Sequence, residues 1–511
     1  MKLKKTTSAL LSLAFLAPTL ISLGGCASEK EITLRVYNWE EYIDEGGEGS
    51  YEYDYEINED GSAPAIIDDF EEWYRETYGT KVRVEYSTFG TNEDLYNQLK
   101  LGDKYDLACP SEYMIMKLAA EGMIQPLGES FFDEENEHNY YINNVSPFIR
   151  ETFDEGKMQV KGQEEPVSWS EYAAGYMWGV TGLVYNPAAN DGRVRSDLEK
   201  SGWGIMLDSA YKNKVTTKDN VRDSYFVGLG ILYRDELLAL DKSASDYNEK
   251  VTEIMNRTDE ASVDKVQKIL TDMKENIFGF ETDTGKSDMV KGTISLNFAW
   301  SGDAVYAMDQ AEEEDVSLNF FIPEECANLF FDGWVMPTDE KRDEDTEKAA
   351  LAFINFMSRP DNAVRNSYYI GYTSVIAGEE MFEYAADTYG AEEDDESEPY
   401  DVSYFFGGEA GEYLIDAPIE QFSRQLYAQY PPADTVMRCA VMDYYGESEE
   451  AINELWTKVK GESLDAWAII VICVAVVAIV LFVVFTKFGH KIEFRLKPKK
   501  GYRLVKQEKL R

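Results

Sequence analysis

The residues best suited to chemistry near the start of the chain are an indole, a phenol and two carboxylates within five positions. They form the run Asn38-Trp39-Glu40-Glu41-Tyr42, which follows an apolar stretch predicted to be a short buried strand. Ligands of open α/β sheets bind at the carboxyl ends of strands. An aromatic face beside a carboxylate suits an alkylammonium ion, because the ring quadrupole and the anion both attract it. The alternative is that Trp39 and Tyr42 are core residues and the glutamates are solvated.

Similar polar or aromatic residues follow other predicted strands. A buried strand at Tyr105–Pro110 leads into Ser111-Glu112-Tyr113, and a strand at Thr293–Ala299 ends in Trp300-Ser301-Gly302-Asp303. The strand Val215–Thr217 ends at Lys218-Asp219-Asn220-Val221-Arg222-Asp223, and the strand Phe330–Pro337 carries Asp332 at a bend. These corners are compatible with one shared cleft between two α/β units, although the sequence alone does not prove that they converge.

The elements that would position these corners alternate between strand and helix. Apolar residues from Ile66 to Tyr74 recur at helical spacing and stop at Gly79, Lys81–Tyr86 alternates as a strand, and helices are predicted at Asn92–Leu101 and Tyr113–Gly122. This order predicts a parallel sheet. Further along, we expect an apolar strand pair at Tyr176–Tyr185 and helices at Ser262–Lys274, Thr346–Met357 and Glu449–Lys460.

Composition limits the possible functions. The 511 residues allow two to four lobes, and 44% hydrophobic and 13% aromatic content predicts a folded chain. The net charge of −47 repels nucleic acid and attracts cations, although solubility alone also explains it. Five scattered cysteines and only two histidines, His138 and His490, provide no disulfide framework, no metal site and little material for nucleophilic catalysis. We therefore expect neither an enzyme nor a bound cofactor.

Both ends of the chain predict attachment to a membrane. Residues 1–25 have a basic start and an apolar run typical of a secretory signal, and Leu23-Gly24-Gly25-Cys26 resembles a bacterial lipobox, in which Cys26 would be lipidated. The alternative is an ordinary signal peptide with a chance cysteine. Ala466–Phe485 has twenty uncharged residues, enough to span a bilayer as a helix, and the basic tail Lys487–Arg511 marks a cytoplasmic side.

Two stretches are predicted to be surface excursions. Gly46–Gly61 is rich in Gly, Glu and Tyr and has no periodicity, and Asp387–Tyr413 is acidic and rich in glycine.

The ordered set of corner motifs resembles the spermidine/putrescine-binding proteins of bacterial ABC importers over roughly Leu34 to Ser374. The motifs are Tyr37-Asn38-Trp39-x-Glu41-Tyr42, Tyr105-Asp106-Leu107-x-x-Pro110-Ser111-x-Tyr113, Glu121-Gly122-Met123-Ile124, Val221-Arg222-Asp223, Trp300-Ser301-Gly302, Asp332 before Pro337, Arg359-Pro360 and Gly371-Tyr372. Each motif is weak alone, whereas the ordered set is specific. The resemblance implies an α/β, two-lobed periplasmic-binding-protein fold of type II, with a polyamine held between the lobes.

The resemblance also implies the ligand-binding residues: Trp39, Glu41, Tyr42, Ser111, Tyr113, Asn220, Asp223, Trp300, Phe330, Asp332 and Tyr372. Asn220 stands where the family commonly has an aspartate, and Phe330 stands where a tryptophan is usual. These departures put the identity of the polyamine in doubt. Structural alternatives remain: Trp300 and Tyr372 as hinge packing, Ser111 as a helix N-cap, and Asp223 paired with Arg222 on the surface.

The implied domain organisation divides the chain into consecutive parts. Residues 27–175 would form the first part of lobe 1, residues 176–330 lobe 2, residues 331–372 a return to lobe 1, and residues 373–462 the C-terminal part of the fold.

We therefore expect an anchored, extracytoplasmic binding protein that delivers putrescine or spermidine to ABC permease and ATPase subunits. The rival hypothesis is a membrane-anchored binding protein or sensor for another small solute.

Overall fold

A computed structural model describes residues 31–47, 50–51, 63–339, 341–392 and 396–461. The predicted signal segment, Cys26, the apolar stretch 466–485 and the basic tail lie outside these residues, as does most of Gly46–Gly61. Within the described ranges, no helix combines the length and apolar character needed to cross a bilayer. By contact density, the chain up to Ile452 forms one compact unit and the chain from Asn453 onward another.

The strands run from the start of the described chain to Pro418. They are β1 (Glu31–Trp39), β2 (Lys81–Phe89), β3 (Leu107–Ala108), β4 (Ile124–Gln125), β5 (Lys157–Met158), β6 (Val167–Ser168), β7 (Ala173–Tyr185), β8 (Val215–Lys218), β9 (Gly279–Glu281), β10 (Leu296–Trp300), β11 (Asn319–Phe321), β12 (Leu329–Pro337), β13 (Thr373–Ser374), β14 (Ser397–Asp401) and β15 (Leu414–Pro418).

The α-helices alternate with these strands along most of the chain. They are α1 (Ile66–Tyr78), α2 (Asn92–Leu101), α3 (Glu112–Glu121), α4 (Tyr140–Asn144), α5 (Pro147–Glu155), α6 (Ala189–Gly192), α7 (Val194–Ser201), α8 (Val221–Leu232), α9 (Arg234–Leu238), α10 (Tyr247–Met255), α11 (Glu260–Lys274), α12 (Gly285–Val290), α13 (Ser301–Glu313), α14 (Glu344–Met357), α15 (Pro360–Ile370), α16 (Glu379–Tyr389), α17 (Ser403–Phe406), α18 (Gln425–Gln429), α19 (Ala433–Val436) and α20 (Glu449–Lys460).

The main sheet has the strand order β2-β1-β3-β12-β7-β10-β8-β9. At one side, β1 pairs in parallel with β2 and β3, and at the other side β8 pairs in parallel with β9 and β10. The long antiparallel pair β7 and β12 lies between these two parallel sets. The predicted alternation of strand and helix is therefore confirmed, and it occurs as two parallel α/β units joined by two long strands.

The helices begin and end at the residues that local chemistry favours. In α1, Ile66, Phe70 and Tyr74 are buried at intervals of four, and the helix ends at Gly79 with a left-handed φ of 68°. Helix α2 begins after Thr91, whose hydroxyl accepts the N–H of Asp94, and its bounds are those predicted. Helix α20 also has its predicted bounds.

The expected strand pair at Tyr176–Tyr185 is wrong, because a single continuous strand, β7, covers these residues. Two glycines of this strand make room for rings from neighbouring strands. A Cβ on Gly179 would lie 2.7 Å from the Phe330 ring, and one on Gly182 would lie 2.4 Å from the Phe320 ring. The two glycines therefore permit close packing inside an extended strand.

The interpretation of Asp387–Tyr413 as a surface excursion is also wrong for much of its length. Strand β14 pairs with β15, and Tyr400, Val402 and Phe405 are buried. The Phe405 ring stacks on Trp178 with centroids 5.5 Å apart. These buried apolar residues pack the segment against the rest of the unit. They are few among many acidic residues and glycines, so the composition of the segment does not indicate them.

A buried ion pair fixes the segment that follows β1. Asp44 accepts from the Arg365 guanidinium and, at 2.7 Å, from the N–H of Gly46, while the N–H of Asp44 donates to Asn366 at 2.9 Å. Arg365 also contacts the Asp69 carboxylate at 2.5 Å. Asp44 and Arg365 are 0% and 3% exposed, so helix α15 holds the corner on which Tyr42 lies.

We expect Arg365→Met to lower the free energy of unfolding by about 3 to 5 kcal/mol, because it leaves the Asp44 carboxylate buried without its cation. Chemical denaturation measures the change, and adding Asp44→Asn should recover part of it. Arg75→Met is the control, since Arg75 pairs with Glu72 at the surface and such a pair is worth less than about 1 kcal/mol. Equal losses from Arg365→Met and Arg75→Met would contradict the assignment.

Candidate functional site

Asp332 is the point at which the corners meet. It lies in β12, where the register against β7 shifts between Asp332 and Gly333, which confirms the predicted bend. The Tyr42 hydroxyl donates to Asp332 Oδ2 at 2.8 Å, and the Ser111 hydroxyl donates to Asp332 Oδ1 at 2.7 Å. Asp332 is 6% exposed. A buried carboxylate thus accepts one hydroxyl hydrogen bond from each of two other segments of the chain.

The corner between β3 and α3 supplies Ser111 and Tyr113. Ser111 is the residue that precedes α3, but its side chain makes no capping hydrogen bond and is directed to Asp332 instead. Asn92, the first residue of α2, accepts from the Ser111 N–H at 3.1 Å and donates to the Tyr113 hydroxyl at 3.0 Å. Ser111 therefore occupies the N-cap position without capping the helix through its side chain, and Asn92 fixes both Ser111 and Tyr113.

The corner after β1 supplies Trp39, Glu41 and Tyr42. Trp39 ends the strand, and its ring lies 4.6 Å from that of Phe89. Glu41 is exposed and has a φ of 53°, so it occupies a tight left-handed turn. Tyr42 is buried, and its ring meets Tyr372 edge-on at 5.1 Å. The turn at Glu41 therefore directs Tyr42 inward to Asp332 and leaves Glu41 in solvent.

The corner after β8 supplies Asn220 and Asp223. The Asn220 side chain caps α8 by accepting from the N–H of Arg222 at 2.7 Å and from that of Asp223 at 3.4 Å. Asp223 is 4% exposed and accepts from the indole of Trp300. The expected alternative, a surface pair of Asp223 with Arg222, is wrong: Asp223 is buried, and the Arg222 guanidinium lies 4.1 Å from the Tyr113 ring and 3.8 Å from the Tyr445 ring.

The corner after β10 packs against Tyr372. A Cβ on Gly302 would lie 2.0 Å from the Tyr372 ring, so only glycine allows this contact. The Tyr372 hydroxyl donates to Asp303 at 3.3 Å, and its ring lies 6.2 Å from that of Phe330. The glycine of the Trp300-Ser301-Gly302 motif thus has a physical reason, which is the close approach of an aromatic ring.

Two routes of contact connect Asp332 with Asp223, and together they form what we call the contact ring. One route passes through Ser111, Asn92, Tyr113 and Arg222. The other passes through Tyr42, Tyr372, Asp303, Lys218 and Trp300, with Lys218 Nζ 3.1 Å from Asp303 Oδ2 and 4.5 Å from the Trp300 ring centre. The contact ring joins residues of both parallel α/β units. Asp332 and Asp223 are the carboxylates at the two points where the routes meet.

The electrostatics of these carboxylates follow from burial. Burial raises the pKa of Asp332 to about 6, although the hydrogen bonds from Ser111 and Tyr42 oppose the rise. Burial raises the pKa of Asp223 to about 7, and the nearby Lys218 and Arg222 oppose that rise. Burial also raises the pKa of Glu112 to about 8. Burial therefore disfavours the ionised form of all three carboxyl groups.

Asp332 and Asp223 form no salt bridge within the described part of the chain, although Lys218 and Arg222 are near enough to Asp223 to oppose the rise in its pKa. A buried, ionised carboxylate without a counter-ion is costly. A cation that entered beside Asp332 or Asp223 would remove that cost, so the arrangement is suited to a ligand with separated positive charges and an apolar body between them.

The contact ring brings together most of the site residues predicted from the sequence and includes others that were not predicted. Tyr42, Ser111, Tyr113, Asp223, Trp300, Asp332 and Tyr372 lie in the contact ring, and Phe330 touches it. Trp39 and Glu41 are next to it in sequence without joining it through a described contact, whereas Asn220 contacts it by accepting from the N–H groups of Arg222 and Asp223. Asn92, Lys218 and Asp303 were not predicted as site residues. Contact between a ligand and any of these side chains stays a prediction.

Metal binding has no support in the described residues, where no cluster of three or more His, Cys, Asp or Glu side chains is placed to hold an ion. Cys109, Cys326 and Cys439 are buried free thiols.

Comparison with known proteins identifies similar chains. Residues 65–388 match the family described as bacterial extracellular solute-binding protein. The putrescine-binding periplasmic protein PotF of Escherichia coli (strain K12) is 26% identical over 379 residues, which cover 73% of this chain and 84% of that protein. The spermidine/putrescine-binding periplasmic protein of Salmonella typhimurium is 25% identical over 373 residues, covering 72% and 84%.

A solved structure shows the same fold. It is the spermidine/putrescine ABC transporter substrate-binding protein PotD from Streptococcus pneumoniae, with a TM-score of 0.52 and 23% identity. The match covers 84% of this chain and all of that one. The expected two-lobed α/β binding-protein fold is thereby confirmed, and the boundaries predicted for its lobes stay a prediction.

The raised pKa of Asp332 predicts a stability change with a definite sign. A carboxyl group whose pKa is higher in the folded state stabilises the fold when protonated, and that contribution is lost as the pH rises through about 6. Asp332→Asn should therefore raise the free energy of unfolding of the ligand-free protein by about 2 to 3 kcal/mol at pH 8, with the difference vanishing below pH ~4. Denaturant titrations at several pH values measure this. Glu396→Gln, at an exposed position, is the control, and a destabilised Asp332→Asn variant at pH 8 would refute the prediction.

Proposed function

Because this chain belongs to the family of bacterial extracellular solute-binding proteins, we propose that it captures a polyamine of the putrescine or spermidine type between its two lobes. It delivers the polyamine to the permease and ATPase subunits of an ABC importer, and it catalyses no reaction. Its relatives from Escherichia coli and Salmonella typhimurium are putrescine-binding and spermidine/putrescine-binding proteins, which supports this choice of ligand.

The observation that carries the proposal is the pair of buried carboxylates, Asp332 and Asp223, at the two ends of an aromatic contact ring. A polyamine has ammonium groups separated by methylenes. Its ammonium groups match carboxylates that form no salt bridge within the described residues, and its methylenes match the rings of Tyr42, Trp300 and Tyr372. An anionic or neutral solute would leave both carboxylates buried and unpaired.

The magnitudes are sufficient for tight binding. A charge-assisted hydrogen bond is worth roughly 1.5 to 3 kcal/mol, and a cation–aromatic contact about 0.5 to 2 kcal/mol. Several such contacts approach the roughly 8 kcal/mol of a micromolar complex, before the cost of association is subtracted. Loss of any one of them should therefore be measurable.

We expect Asp332→Asn to weaken putrescine or spermidine binding by about tenfold or more, because one charge-assisted hydrogen bond is lost. Trp300→Ala should weaken it on the same scale, because the aromatic wall and the donor to Asp223 are both removed. Isothermal titration calorimetry of the soluble part, residues 27–465, measures both effects.

Glu396→Gln is the matched control, since it removes one exposed acidic group that salt screens. If it weakened binding as much as Asp332→Asn, the diffuse acidity of the chain would capture the cation and the proposed site would be wrong. Wild-type affinity should also fall as the pH drops from 8 to 5, because the carboxylates with pKa values of about 6 and 7 become protonated. Absence of binding to every polyamine would favour the rival hypothesis of another solute.

We also propose that the protein is held at the membrane with its binding unit outside, through lipid at Cys26 and a helix at residues 466–485. The lipobox resemblance and the uncharged length of that stretch support this. Since one acyl chain anchors weakly and a spanning helix anchors stably, Cys26→Ala should abolish lipid labelling without releasing the protein from membranes. Fractionation of labelled cells tests this, and release of the variant would refute anchoring by the helix.

A further inference from the structure

Lys218 is a buried cation inside the contact ring. It ends β8 and is 1% exposed. Its Nζ donates to the carbonyl oxygen of Thr282 at 2.9 Å and to Asp303 Oδ2 at 3.1 Å, and it lies 3.5 Å from Glu281 Oε1. Two N–H groups of the ammonium therefore have fixed acceptors and a second carboxylate lies close by, so the cation is held in place.

The two acids beside Lys218, Asp303 and Glu281, already have hydrogen-bonding partners within the protein. Asp303 Oδ1 accepts from Tyr372 and lies 3.5 Å from Lys286 Nζ. Although burial opposes ionisation, Lys218 and Lys286 hold the pKa of Asp303 below its usual value. Glu281 accepts from the N–H of Gly285 at 2.9 Å and from Asn297 at 3.1 Å. Asp303 and Glu281 thus already have partners for their charges.

Lys218 also occupies one part of the aromatic wall. Its Nζ lies 4.5 Å from the centre of the Trp300 ring. A ring that already attracts one ammonium group attracts a second one less, and the two cations repel each other at short range. The site beside Trp300 and Asp303 is chemically an ammonium site, and a side chain of the protein fills it.

We propose that Lys218 is a specificity-determining residue whose ammonium group takes the position of a third ligand ammonium, so that the cleft selects diamines over triamines. This inference rests on the proposed function and narrows its ligand class. The carboxylates left for the ligand are Asp332 and Asp223, which form no salt bridge within the described residues; Lys218 and Arg222 are near Asp223 without pairing with it. A diamine such as putrescine satisfies both, whereas a triamine such as spermidine brings a third charge toward Lys218.

Lys218→Met tests the proposal, because it keeps an unbranched side chain of similar length and removes the charge. Wild type should bind putrescine at least tenfold more tightly than spermidine by calorimetry. In Lys218→Met, the ratio of the two dissociation constants should shift toward spermidine by about tenfold or more, the scale of one charge-assisted hydrogen bond to the vacated Asp303.

Lys214→Met is the control, since Lys214 is an exposed lysine four residues away that donates to the carbonyl oxygen of Thr293; its ratio should remain that of wild type. The double variant Lys218→Met/Asp303→Asn should lose the gain for spermidine, because the third carboxylate is gone. If Lys218→Met does not fold, as judged by circular dichroism, Lys218→Met/Glu281→Gln removes one charge of each sign, keeps Asp303 and should show the same shift.

The outcomes separate this inference from the proposed function. If wild type binds both polyamines and the variants leave the ratio unchanged, or if wild type prefers spermidine, the role of Lys218 is refuted while polyamine capture stands. If wild type binds no polyamine, both are refuted.

Discussion

The site depends on one constraint, which is that an ionised carboxylate buried in β12 has no cation in the described protein. Asp332 receives neutral hydroxyl groups from Tyr42 and Ser111, and these donors stabilise the anion without cancelling its charge. The bulge at Asp332 and Gly333 fixes the position of the carboxylate, and Asn92 and the Asp44–Arg365 pair hold its two donors in place. Burying this carboxylate therefore lowers the free energy of unfolding, and it keeps a negative charge available for a ligand.

The placement of the corners follows from the topology of the sheet. The carboxyl ends of β1, β3, β8 and β10 supply most residues of the contact ring, and these strands belong to two parallel sets separated by β7 and β12. A ligand between Asp332 and Asp223 would contact both sets at once. The contacts that bind the ligand would then also stabilise the closed arrangement of the two lobes, because each unit supplies one end of the site.

Much of this arrangement could be predicted from the sequence, because strand ends and helix caps are local signals. Helix α2 has its predicted bounds, and Asp332 lies at the predicted bend, since glycine, proline and polar residues mark such positions within a few residues. The errors came from long-range packing. The glycines of β7 accommodate Phe330 and Phe320, which lie more than 130 positions away, and the buried residues of Asp387–Tyr413 are hidden within an acidic composition. Neither relation is encoded in local periodicity.

The same limit explains why Lys218 was missed. Its partner Asp303 is 85 residues away, and a lysine that ends a strand normally indicates a solvated side chain. Only the folded chain shows that this lysine pairs with Asp303 and Glu281. A count of acidic residues would treat both as available to bind a cationic ligand. The net charge of −47 therefore says little about ligand selection, since exposed acids are screened beyond about 8 Å in physiological salt. Selection depends instead on which buried carboxylates form no salt bridge within the described protein. Lys218 pairs with Asp303 and Glu281, which leaves Asp332 and Asp223 for a ligand.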